Sequence, residues 1–258
     1  MRIALALSLA ACLLPQTAHA GRSFYGWLYG TEVMPERGVE LQTWISEQNG
    51  KYGNADKQTS IWWGPLIGIT DQLELSLPLE LDWTDTKANM MLGTPDQTKF
   101  TFRRFGVEAR YRLVSQDPVD APAFAPLVRV AVKRDVIQRD DVRVEGDLVA
   151  SYDVGPVQVL VDLGFIGDTK DTKGGTQPPK PHMELRPGGG VSVRATSELR
   201  VGAEIYSEIS VDSNGGESWA TAGPNLSWTH GRFWLSGVFG IQVYHVTVAP
   251  RVVWGIAF

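Results

Sequence analysis

Leu73-Glu74-Leu75-Ser76-Leu77-Pro78-Leu79-Glu80-Leu81-Asp82 sets five leucines at every second position, with Glu74, Ser76, Pro78, Glu80 and Asp82 between them. A period of two belongs to a strand with unlike faces, since a helix returns its apolar residues about every three or four positions. The same alternation recurs in Phe105-Val107-Ala109-Tyr111-Leu113 against Arg104, Glu108, Arg110 and Arg112, and in Leu199-Val201-Ala203-Ile205 against Arg200 and Glu204. At the end of the chain Val252, Trp254, Ile256 and Phe258 alternate against Arg251. The chain reads as all-β, with strands predicted near 38–46, 58–70, 72–82, 101–113, 123–133, 142–152, 156–165, 183–195, 199–210, 218–229, 232–244 and 247–258.

The connections alternate in length. Tight turns are predicted at Thr70-Asp71, Asp153 to Pro156, Thr196 to Glu198 and His230-Gly231, with a modest one at Asp117-Pro118. Longer polar loops fall at 47–57, 83–100, 134–141, 166–182 and 211–217. Short turns on one side and long loops on the other are the asymmetry of a transmembrane antiparallel up-and-down β-barrel, here of about 12 strands. Tyr111, Phe124, Tyr152, Trp228, Phe233 and Phe258 would then girdle the periplasmic interface, and Trp63, Trp83, Phe102, Phe165 and Trp219 the outer one. A soluble β-sandwich or lipocalin-like barrel also alternates, but leaves the loop asymmetry and the terminal Phe258 as coincidence. With the apolar face toward lipid, Arg at Leu77 or Val107 should impair assembly, and Arg at Ser76 or Gly106 should be better tolerated.

Arg2, an apolar run from Ile3 to Leu14, and Ala18-His19-Ala20 read as a secretory signal over residues 1–20. Leu9-Ala10-Ala11-Cys12 is a weaker lipoprotein alternative. Cleavage after Ala20 removes Arg2 and takes the formal charge from −5 to about −6; it also removes the chain's one cysteine, Cys12, so a disulfide framework or thiolate metal site is excluded from the mature chain. Acidic and basic residues are interspersed, which argues against a nucleic-acid partner. The organisation expected is a signal peptide (1–20), an aromatic N-terminal segment (21–37) and one barrel domain (38–258). Phe24-Tyr25-Gly26-Trp27-Leu28-Tyr29 is too aromatic for a disordered tail. It could tuck into the lumen, close the periplasmic mouth, or anchor at the interface.

The ending Val252-Val253-Trp254-Gly255-Ile256-Ala257-Phe258 resembles the C-terminal strand of bacterial outer-membrane proteins. That resemblance implies an assembly signal in Trp254, Ile256 and Phe258, read by the outer-membrane assembly machinery. Tyr29-Gly30-Thr31-Glu32-Val33-Met34-Pro35, followed by Gly38 to Trp44, resembles a group of uncharacterised proteobacterial barrels. Gly68-Ile69-Thr70-Asp71-Gln72-Leu73-Glu74 is similar to a turn pattern of outer-membrane transporters. The resemblance implies a bacterial outer-membrane location and the barrel fold, and leaves the activity open.

Placing the apolar residues against lipid turns Glu40, Glu74, Glu80, Arg104, Glu108, Arg110, Arg112, Arg129, Arg143, Arg186, Arg194, Arg200, Glu204 and Arg251 inward as candidate pore-lining residues, with Glu145, Asp147 and Glu184. Arg110, Arg112 and Arg129 should share one wall and attract anions where nearby acids leave them incompletely neutralised. A narrow pore or facilitator for small polar solutes is the leading expectation. An internal salt-bridge network in a non-conducting structural or surface-interaction barrel is the alternative. Catalysis is not expected, although His182, His245, Ser210, Ser213 and Ser218 lie toward the outer rim, where an acyl hydrolase would carry its groups. Asp168 to Gly175 has acids at calcium-like spacing without a closing Glu. No metal and no cofactor are expected, and membrane lipid and lipopolysaccharide are the expected surface partners, the latter through Lys170, Lys173 and Lys180.

Overall fold

The computed structural model describes residues 23–50, 57–87, 95–117, 119–137, 141–170, 180–211 and 218–258. The expected signal peptide, Cys12, Ser213 and the segment Asp171 to Gly175 lie outside these residues. Every regular element is a strand: β1 Val39–Asn49, β2 Lys57–Gly68, β3 Leu73–Ser76, β4 Leu79–Thr86, β5 Gln97–Arg112, β6 Phe124–Asp135, β7 Val142–Val154, β8 Val157–Lys170, β9 Lys180–Arg194, β10 Leu199–Ser210, β11 Trp219–His230, β12 Phe233–Tyr244 and β13 Val248–Ala257. Each pairs antiparallel with its neighbours, and β13 pairs with β1 through Leu41↔Ile256 and Ile45↔Val252. The Phe258 amide donates to the Val39 carbonyl over 2.9 Å, so the terminal strand closes the cylinder. A closed sheet has no free edge, which is what hydrocarbon demands of a spanning β structure.

β3 and β4 are halves of one strand, giving a wall of twelve. The leucine run that announces the fold is therefore interrupted at Leu77-Pro78. In the β2 register Leu77 falls opposite Pro65 and Pro78 opposite Gly64, and the two prolines, which have no N–H groups, leave the hydrogen-bond pattern incomplete there. Leu77 still donates to the Pro65 carbonyl and Gly106 to that of Pro78, so the wall stays closed around the break. Strands also run further outward than expected. β5 begins at Gln97, and β8 and β9 extend as a paired ladder to Lys170↔Lys180. At the opposite end, the tight turns at Gly155 and Gly231 are made by positive φ angles of 58° and 57°, which glycine adopts without strain.

The leucine face points out: Leu77, Val107, Leu148 and Leu163 are 50–61% exposed, whereas Glu74, Arg129 and Glu204 are at most 4% exposed. A polar interior under an aliphatic exterior inverts a soluble core and is the arrangement of a barrel in lipid. Tyr111, Phe124, Tyr152, Phe258, Trp83, Phe102 and Phe165 lie on the outer surface as expected of girdles. Trp219 does not. It is 1% exposed and points into the lumen, so the outer girdle loses it.

Gly106 corrects a second expectation. A Cβ there would lie 2.2 Å from the Val132 carbonyl oxygen and 2.8 Å from Lys133 Cα, so lumen-side parity does not provide room for arginine. Even Gly106→Ala is expected to lower unfolding stability by about 1–3 kcal/mol, because backbone cannot yield as a flexible side chain does. Urea unfolding in detergent micelles measures it.

Candidate functional site

The run from residue 23 to residue 38 threads the barrel, enclosed as far as Pro35 and exposed at Glu36 and Arg37. The segment starts in the half of the barrel that carries the short turns, where the Ser236 hydroxyl donates to the Ser23 carbonyl. It rises to Trp27, whose indole Nε1 donates to the Ala249 carbonyl at 2.9 Å near the outer end of β13. It then descends along β5 and leaves where the Arg37 amide meets the Gly68 carbonyl at the foot of β2. Tyr25, Trp27, Leu28, Val33 and Met34 are at most 5% exposed, enclosed by the surrounding wall. The wall is shaped to the segment: a Cβ on Gly188 or Gly190 of β9 would collide with Leu28 or Tyr25.

Wall side chains hold this segment by its backbone. Both Gly26 and Trp27 amides donate to Glu204, at 2.9 and 3.0 Å to Oε1, the Tyr29 amide to Asp162 at 3.1 Å and the Met34 amide to Glu74 at 2.7 Å. Arg110 Nη2 donates to the Gly30 and Glu32 carbonyls at 2.7 and 3.1 Å, and Arg112 to Thr31 at 2.9 Å. The Gln116 carboxamide takes both main-chain groups of one residue, accepting from the Val33 amide and donating to its carbonyl. Charged partners make such bonds about twice as strong as neutral ones. The aromatic rings add a second layer: Arg129 sits 4.2 Å over Tyr29, Arg200 4.2 Å over Phe24, and Arg251 5.0 Å from the Trp27 ring centre. Trp27 also stacks on Tyr206 at 5.0 Å and meets Trp219 edge-on at 5.4 Å, which is what draws Trp219 inward.

Ion pairs occupy much of the lumen beside the segment among the described residues. Arg129, with no exposed surface, contacts Glu108, Glu145 and Asp147 at 2.5, 2.9 and 2.6 Å. Lys133 bridges Glu80 and Glu145, Arg186 pairs with Asp147, and Arg143 with Asp168. Burial and the neighbouring Asp168 push the Asp141 carboxyl, in the outer loop before β7, above the usual carboxylate range. A crevice of about 30 Å³ remains beside the segment, between Tyr29, Glu32, Trp44, Trp62 and Arg110. That is water-sized.

Most of the residues read as lumen-facing meet here. Glu40 accepts from the Trp234 indole at 2.8 Å, and Arg104 and Glu80 pair at 3.5 Å near the outer mouth. Arg194, the last residue of β9, is exposed at the short-turn rim and does not join them. Arg110 does stand opposite Arg129 in the ladder. The anion-attracting wall expected from that register is corrected: Arg110 is matched by Glu74 and by carbonyls of residues 30 and 32, and Arg129 by three acids on β5 and β7. Asp162, Lys133, Gln116 and Ser151 were not singled out by the sequence pattern. Asp162 alternates with Val161 and Leu163 and was accessible to the same parity rule; Gln116, in a turn, had no periodic signal. Of the rim residues weighed for catalysis, His182 Nε2 lies 2.6 Å from Glu184 Oε1, and Ser218 Oγ accepts from the Ser210 amide at 3.1 Å.

No protein-family model matches the chain, and no curated protein does. Solved structures share its fold. The NanC porin superposes with a TM-score of 0.54 at 9% identity, over 84% of this chain and 98% of that one. The β domain of the Bordetella autotransporter BrkA gives 0.51 at 11% identity, covering 86% and 99%. LpxR from Salmonella typhimurium gives 0.50 at 10% identity, covering 85% and 99%. With the apolar exterior and the closed sheet, these likenesses show the fold of an outer-membrane β-barrel. The expectation that the chain lacks enzymatic activity is corrected by the same comparison: porins, autotransporter domains and LpxR share one architecture, so the barrel does not speak against catalysis.

Proposed function

We propose that the protein is a gated narrow pathway for small polar solutes, closed while residues 23–38 occupy the lumen and opened when they withdraw. One observation carries this reading: the space is filled by a contiguous chain segment whose backbone is hydrogen-bonded to charged groups of the wall, while its apolar side chains pack on Leu127, Val149, Leu160 and Val238. Acids and guanidinium groups released from the segment would meet water instead of an empty apolar cavity, so withdrawal exchanges one set of hydrogen bonds for another. A purely structural filler has no need of a polar wall behind it. The buried Arg129 cluster favours the competing reading, a permanently closed barrel, because its ion pairs persist whether or not the segment leaves.

Thr31 and Ser151 supply the test. Their hydroxyl oxygens are 2.7 Å apart and buried, so cysteines at the two positions can bridge segment to wall in a mature chain that otherwise lacks thiols. Refolded wild type in planar bilayers is expected to show brief openings from a closed baseline, and Trp27→Ala, which removes the ring packed on Tyr206 and Trp219, to stay open longer. Oxidised T31C/S151C should be silent, and reductant should restore its openings. Absence of conductance in folded wild type and in folded Trp27→Ala alike would overturn the gated pathway and leave the closed barrel.

A further inference from the structure

We infer that the lumen wall is a binding groove for extended oligopeptides bearing aromatic side chains, and that residues 24–34 are its resident ligand. The inference rests on the gated reading above, since a free peptide reaches the wall only when the segment leaves it. The contacts have the chemistry of peptide recognition. Carboxylates take amide N–H groups, guanidinium groups take carbonyls, and Gln116 engages both the N–H and the C=O of Val33. These contacts read main chain, which every peptide carries. An oligosaccharide offers hydroxyls in place of the alternating amide donors and acceptors, and a lipid offers neither along its acyl chain.

Side-chain preference is built in separately. Three aromatic residues of the segment lie against three different arginines, each ring centre 4.2–5.0 Å from a guanidinium carbon. In a site with little water, face contacts of this kind favour Phe, Tyr and Trp over aliphatic residues. Gly188 and Gly190 leave a smooth floor on which a small chain of any sequence can lie, with Leu28 and Tyr25 seated over it here. Asn225, 4% exposed, has neither its carboxamide oxygen nor its nitrogen engaged by another group among the described residues and stands beside the Gly202 backbone of the same wall. It is a further amide able to serve a peptide that follows a slightly different path.

The experiment uses the full mature chain in lipid nanodiscs and a fluorescently labelled synthetic peptide with the sequence of residues 23–34. Trp27→Ala loosens the resident segment, and Tyr29→Ala does so at a second position should the first fail to fold. The peptide should bind either variant saturably, and oxidised T31C/S151C should exclude it until reductant is added. An equally long Gly/Ser peptide should bind about tenfold or more weakly, because it keeps the main-chain contacts and loses the aromatic anchors. Glu204→Gln combined with Trp27→Ala should weaken the aromatic peptide as well. If the loosened variants conduct but bind no peptide, or if a maltooligosaccharide of similar length competes equally, the peptide groove is overturned while the gated pathway stands. If the folded variants neither conduct nor bind, both fall.

Discussion

Arg129→Gln is expected to lower unfolding stability by about 3–5 kcal/mol, the largest effect of any single change in the lumen, because it leaves buried carboxylates without their cation. Arg129 donates to Glu108, Glu145 and Asp147 at 2.5–2.9 Å and has no solvent contact, and Tyr29 of the inserted segment rests on its face. Glutamine can satisfy at most part of that hydrogen bonding and carries no charge. Lys133 and Arg186 remain on Glu145 and Asp147, but Glu108 keeps no cation within 4 Å among the described residues. Adding Glu108→Gln to the variant should therefore recover a measurable share of the loss, a coupling that a double-mutant cycle isolates. Urea unfolding monitored by tryptophan fluorescence, with heat-modifiability on gels as a check of folding, reads both. A loss under about 1 kcal/mol would mean the cluster breaks even against its desolvation cost and does not hold the wall.

This cluster also marks how far the sequence is legible. Parity along each strand was enough to turn Arg129, Glu108 and Asp147 inward, because one face of every strand must meet lipid and the pattern of period two then assigns the other. Parity says nothing about which inward residues touch. Arg110 and Arg129 do face each other, and counting cations along the wall suggested repulsion; the neutralising acids come from β3, β5 and β7, and carbonyls of a segment distant in sequence complete the set. The position of residues 23–38 had no periodic signature at all. Their aromatic content showed that they would be ordered, but three placements were open, and only the tertiary fit of Trp27 against Tyr206 and Trp219 selects one. The outer strand ends were missed for a simpler reason. Gly167-Asp168-Thr169-Lys170 lies above the apolar belt, where neither face needs to be hydrophobic, so a paired ladder there leaves no alternation to read.

Leu148→Arg tests the remaining premise, that the exposed aliphatic face lies in hydrocarbon. Leu148 is 61% exposed near the middle of β7 and lines, with Val130, Leu163, Phe165 and Leu185, an outward groove of about 520 Å³. Phe165 lies across Gly146, whose absent side chain makes the floor of that groove. Every side chain around it is apolar apart from those of Arg129 and Asp147, which point to the other side of the wall. In a soluble protein a substitution at so exposed a site would change stability by a few tenths of a kcal/mol, since the guanidinium group would simply be hydrated. At the bilayer midplane the same group costs about 2–4 kcal/mol, and position 148 is too far from either rim for the side chain to reach water freely. Leu148→Ala separates lost packing from charge: it should cost well under half as much. The variants are compared by folding efficiency into vesicles and by urea unfolding from them. Equal behaviour of Leu148→Arg and Leu148→Ala would place this face in water, and the membrane-spanning assignment of β6 to β9 would fall with it.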